Sequence, residues 1–104
     1  MVTFVYATAS DAAEAERIGR AVVSERLAAC ANILGGMRSF YWWQGRLEEG
    51  EEAVLILKTR RERLAALVAR VRELHSYDCP CIEAIEVTDG NPEFLAWIER
   101  ETGG

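Results

Sequence analysis

The chemistry of this chain is concentrated in one stretch, LHSYDCPCIEA, Leu74 to Ala84. It holds the single histidine, two of the three cysteines and one of the two prolines. Cys79-Pro80-Cys81 is a C-x-C pair, and in extended backbone its two thiols project to one side. Two thiolates on one side, with the His75 imidazole just upstream, suit a soft or borderline ion such as Cu(I) or Zn(II). The pattern is thinner than a structural zinc motif, which carries two separated ligand pairs. Other readings stand beside it. Isolated thiols in a core act as small hydrophobes, and a disulfide between i and i+2 is strained, which makes a redox pair the lesser option. An imidazole just after a helix is also favoured by the helix dipole and the free terminal carbonyls, with no ligand role at all.

The remaining reactive groups are sparser. Cys30 lies in LAACANI, where flanking alanines and the absence of a nucleophile elbow read as a core thiol. Eleven of the twelve basic residues are Arg, so Lys58 stands out as a compact ammonium. Glu48, Glu49, Glu51 and Glu52 gather around a predicted turn and read as a solvated acidic face. No Gly-rich phosphate loop, H-E-x-x-H, G-x-S-x-G or paired-carboxylate constellation is present, so no enzymatic activity is expected.

The elements that position these groups follow from periodicity and punctuation. Val2 to Ala9, rich in β-branched and aromatic residues, predicts a strand. Ser10 and Asp11 offer N-caps, Glu14 completes a capping box, and Ala15, Ile18, Gly19 and Val22 form the apolar stripe of a helix ending near Arg26. Ala29 to Leu34 and Met37 to Gln44 predict strands, with Gly35-Gly36 either breaking or bending one long strand. Gly45 to Gly50 predicts a turn, and Glu52 to Lys58 a strand. Thr59 and Glu62 form a T-x-x-E capping box ahead of a helix striped by Leu64, Leu67, Val68, Val71 and Leu74. Ile82 to Val87 predicts a strand, and Asn91-Pro92 opens a last short helix. The core order is βαββαβ: an α+β, ferredoxin-like antiparallel sheet with an extra C-terminal helix.

At 104 residues the chain is expected to form a single domain, residues 1–104. No apolar run reaches the length of a membrane span, so no membrane partner is expected. The N-terminus has no basic residue before its apolar stretch and does not read as a signal peptide. An odd cysteine count argues against a secreted disulfide framework, and a cytoplasmic location is expected. A net charge of −5 repels phosphate backbones, so no nucleic-acid partner is expected. The predicted strand around Ala53 to Leu57 is apolar at consecutive positions, which puts grease on both faces of the sheet. Either a second copy of the chain covers the second face, or the last helix folds over it.

Five stretches together resemble one family: SERLAACANI (24–33), SFYWWQG (39–45), LILKTR (55–60), LHSYDCPCIEAI (74–85) and GNPEFLAWI (90–98). In order and over nearly the whole chain they are similar to the CutA divalent-cation-tolerance proteins. The resemblance implies a ferredoxin-like subunit in a homotrimer, a cytosolic protein of metal homeostasis, and binding of copper or another divalent metal, with no obligatory cofactor. It places His75 at the histidine proposed as a metal ligand, with Cys79 and Cys81 beside it. It places Cys30, Trp43, Lys58 and Tyr77 near clefts between subunits. The family motif reads His-Pro-Tyr-Glu, an apolar residue, then Pro-Glu. Here Ser76 replaces the first proline, Asp78 the glutamate, and Cys81 the glutamate after Pro80. The last change shifts the expected preference from oxygen-ligated Cu(II) towards softer ions, and Glu83 is a substitute carboxylate. A PII-like signalling module, gripping a small anion through Lys58, Trp43 and Tyr77, is the alternative on the same architecture.

Overall fold

Val2–Ala9 forms the first strand, β1, which lies inside the sheet with a partner on each side. The computed structural model describes residues 1–103. After β1 come α1 (Ala12–Ser24), β2 (Cys30–Trp43), β3 (Arg46–Arg60), α2 (Leu64–Leu74), β4 (Ile82–Glu86) and α3 (Pro92–Thr102). The strands lie in the order β2-β3-β1-β4, with every neighbouring pair antiparallel. This is the expected βαββαβ sheet with one more helix after it.

One face of the sheet is covered as the helical stripes require. Asp11 caps α1 by accepting the Glu14 N–H at 2.8 Å. Ala15, Ile18 and Val22 then bury against Val5, Ala7, Leu55 and Leu57, and Leu67 and Val71 of α2 complete that core. Gly19 lets α1 lie close to β2, because a Cβ there would sit 3.0 Å from the Ala31 Cβ.

Two local expectations are corrected. The reversal predicted over Gly45 to Gly50 needs only Gln44 and Gly45, whose φ values are 51° and 78°. That two-residue loop matches the twist of a hairpin, so pairing begins at once with Trp43 opposite Arg46. Glu48, Glu49, Glu51 and Glu52 are therefore strand residues, opposite Tyr41, Phe40, Arg38 and Met37. The Thr59–Glu62 capping box does not form. Thr59 alternates with Leu57 on the helix-covered face, fully buried, and its hydroxyl donates to the Leu27 carbonyl at 2.7 Å. A short 3-10 turn, Arg61–Arg63, precedes α2 without a side-chain cap. At Gly35-Gly36 the strand is bent rather than broken: the register slips between Leu34 and Met37, and Gly36 has a φ of 74°.

The second face is only partly covered. α3 packs across the end of the sheet, burying Ile98 and Thr102. There the N-terminal ammonium bonds Glu99 at 3.0 Å, and Arg63 donates to the Thr102 carbonyl at 2.8 Å. Phe4, Tyr6, Val54 and Ile56 stay half-buried. The β2–β3 hairpin extends beyond the helices in a molecule measuring 44 × 25 × 22 Å, and Leu34, Phe40, Trp42, Trp43 and Leu47 are exposed.

Candidate functional site

α2 ends at Leu74, and the chain crosses to β4 through the His75–Cys81 loop, which is pinned at three points. The His75 Nε2 lies 2.7 Å from the Thr8 carbonyl. Its Nδ1 accepts the Tyr77 N–H at 3.1 Å, so Nε2 carries the proton and donates to Thr8. Ser76 N–H donates to Glu14 Oε2 at 2.8 Å. Glu14 also accepts from the Ser10 N–H and hydroxyl, both at 2.9 Å. Burial alone raises its pKa, but the bonds from Ser10 and Ser76 outweigh this and bring it to about 2. Glu14 was expected only as a capping residue. It does serve the start of α1, and it also holds the loop from across the fold.

The loop presents Tyr77 towards β3. The Tyr77 ring packs on the His75 ring at 4.7 Å, and its hydroxyl donates to Glu52 Oε2 at 3.0 Å. Burial, that hydrogen bond and the Glu52 charge push its pKa up to about 12. Cys81 Sγ lies 3.6 Å from Glu83 Oε1. Burial first, then the Glu83 charge, raises this thiol above its ordinary value. Strand alternation explains the grouping: Tyr6 faces Glu83 in the β1–β4 register, and Glu52 lies two residues before Val54, the partner of Thr8.

Between the loop and the bent part of β2 lies a cleft of about 670 Å³. Trp43, Tyr77, Cys79 and Cys81 line it, together with Tyr6, Tyr41 and Glu52. Cys30 and Lys58 do not. They face each other across β2 and β3. Burial raises the Cys30 pKa, and the Lys58 charge partly offsets it. Lys58 donates to Asn32 Oδ1 at 3.0 Å and sits 5.8 Å from the centre of the Phe94 ring. Within the single chain, Trp43 and Tyr77 line this cleft while Cys30 and Lys58 lie elsewhere, so one chain alone does not join Lys58 to Trp43 and Tyr77 in an anion site.

The proposed metal ligands are near one another but not preassembled. Both His75 nitrogens are engaged by backbone groups. Among the described residues, no three His, Cys, Asp or Glu side chains converge on a common point. All three cysteines are free thiols, with Cys79 exposed and Cys81 half-buried.

A sequence profile described as CutA1 divalent ion tolerance protein matches residues 3–101. The chain belongs to this family. A "Divalent-cation tolerance protein CutA" of Archaeoglobus fulgidus is 44% identical over 100 residues, covering 96% of this chain and 97% of the relative. The solved structure of a divalent cation tolerance protein (Cut A1) from Thermus thermophilus superposes with a TM-score of 0.96 at 41% identity. That superposition covers 99% of this chain and 100% of the other. The structure of a "Periplasmic divalent cation tolerance protein CutA" from Archaeoglobus fulgidus gives a TM-score of 0.94 at 43% identity, over 98% and 99% of the two chains. CutA membership accounts for the shared fold and carries an association with divalent-cation tolerance. Among the described residues, no helix is long and apolar enough to cross a membrane.

Proposed function

We propose that this CutA protein takes part in metal homeostasis by binding a thiophilic cation, copper above all, at the rim of the His75–Cys81 loop. The reading rests on one observation: Cys79 and Cys81 line the same cleft, with Glu83 3.6 Å from the Cys81 sulfur. The donor set fits a soft or borderline ion better than a hard one, because thiolates favour Cu(I) and Zn(II) while magnesium and calcium require several oxygens. With no three donors converged beforehand, the ion gathers them by side-chain rotation of exposed Cys79. His75 acts chiefly as the anchor of the loop, since ligation through either nitrogen costs it a backbone bond. The functional unit in this proposal is a homotrimer with the loops at subunit boundaries, in the cytosol. Three free thiols suit such a reducing compartment.

The test is a calorimetric titration of the reduced protein with Cu(I), Cu(II) and Zn(II). It is repeated with the Cys79→Ser/Cys81→Ser double variant and with His75→Ala. Micromolar or tighter Cu(I) binding is expected in the wild type and lost in the double variant. Because the Cys81 thiol is held above its ordinary pKa, the ion must displace a proton. Affinity should therefore rise from about pH 6 to about pH 8. Equal binding by wild type and double variant removes the metal from this loop.

A further inference from the structure

The cleft is far larger than a metal ion needs, and five of the thirteen residues that line it are aromatic. Phe40, Tyr41, Trp43 and Tyr77 line it together with the carboxylates Glu52 and Asp78. Its volume of about 670 Å³ lies in the range of small-molecule sites. The one basic side chain on its wall, Arg38, is already ion-paired with Glu49. Glu52 spends one carboxylate oxygen on the Tyr77 hydroxyl and keeps the other. The net sign of the cleft is therefore negative.

Aromatic faces attract cations through their quadrupoles, and the attraction grows where water is thinned out. A hard divalent ion cannot exploit this, because it would exchange a full hydration shell for two carboxylates. A weakly hydrated organic cation can, since its methylene and methyl groups bury against the rings while its charge faces Glu52 and Asp78. We propose that this cleft binds an alkylated ammonium ion with an apolar body. Within the chain, one wall is set in place beforehand. The Tyr77 ring is fixed by His75 at 4.7 Å and by its bond to Glu52 at 3.0 Å.

This binding requires no metal at the loop and stands even if none binds there. The experiment is an isothermal titration of the intact protein with benzyltrimethylammonium. Benzyl alcohol and benzenesulfonate serve as the uncharged and anionic comparisons. The ammonium is expected to bind at least about tenfold more tightly than either comparison. Glu52→Gln, which keeps an acceptor for Tyr77, and Trp43→Leu are each expected to weaken it about tenfold. Cys30→Ser, which lies outside the cleft, should leave ammonium affinity within about twofold. Circular dichroism and elution volume establish that each variant is folded. No ammonium binding by the wild type, equal binding of the three probes, or unchanged affinity in both folded cleft variants would overturn the assignment.

Discussion

Glu14 shows how one side chain can serve two elements. The residue is only 7% exposed, yet its carboxylate accepts four hydrogen bonds, two from Ser10, one from Ser76 and a longer one from Arg17. Those bonds are made to the charged form, so they hold its pKa near 2 against an ordinary value of 4.5. A carboxyl whose pKa is depressed on folding adds stability that is complete above its unfolded pKa. That stability is lost as pH falls towards the folded value. The contribution at neutral pH is on the order of 3 kcal/mol. Glu14→Gln should therefore lower the melting temperature at pH 7. The gap between wild type and variant should close as pH drops from about 5 towards about 2. A gap that stays constant over that window would mean that the charge of Glu14 contributes nothing. Because Ser76 sits inside the His75–Cys81 loop, the same substitution should loosen Tyr77 and weaken binding of either ligand proposed for the cleft.

At the scale of elements, α1 approaches β2 closely at Gly19. A Cβ added to Gly19 would sit 3.0 Å from the Ala31 Cβ and 3.3 Å from a Leu55 methyl. Ala31 has no rotamer with which to yield, so the helix itself would have to move. Gly19→Ala gains about 1 kcal/mol in helix propensity and loses about 1–3 kcal/mol to overpacking. A net loss of about 1 kcal/mol is expected, read as a lower midpoint in urea. A raised midpoint would mean that the helix–strand gap is slack. The apolar stripe around Gly19 was legible because its spacing is purely local, and β1 was legible for the same reason. The Thr59 box failed because burial opposite Leu27 is a tertiary event that no tetrapeptide encodes. The turn was misread because glycines at 45 and 50 both look like boundaries, whereas only Gln44 and Gly45 take positive φ. The site was half legible. The loop and its thiols stood out in the sequence, but its supports are remote: Glu14 lies 62 residues before Ser76, and Glu52 lies 25 before Tyr77. Strand register set Cys30 opposite Lys58, while Trp43 and Tyr77 line the cleft from a strand and a loop far apart in sequence.

The whole molecule has more apolar surface than a lone chain comfortably exposes. Leu34 is 61% exposed, Trp42 73%, Leu47 63% and Ile85 55%, and none of these lines the cleft. Trp42 and Leu47 are register partners near the hairpin tip, so they form one continuous greasy patch. The sheet also ends in two different strands, β2 and β4, each with one unpaired edge in the single chain. Joining unlike surfaces of successive copies is a heterologous contact, and such contacts either close into rings or grow into filaments. A closed ring of three fits both this chemistry and the homotrimer proposed above. Light scattering on the eluting protein should then give a mass near three times the 11.6 kDa of one chain. Trp42→Lys combined with Leu47→Glu places charge where apolar surface must be buried, and should release monomers. The helix-side core lies elsewhere, so far-ultraviolet circular dichroism of that variant should keep its helical signal. A wild-type mass of one chain at all concentrations, or a trimer undisturbed by both charges, would show that the hairpin patch is not the assembly surface. In that case its partner would have to be something other than another copy of this chain.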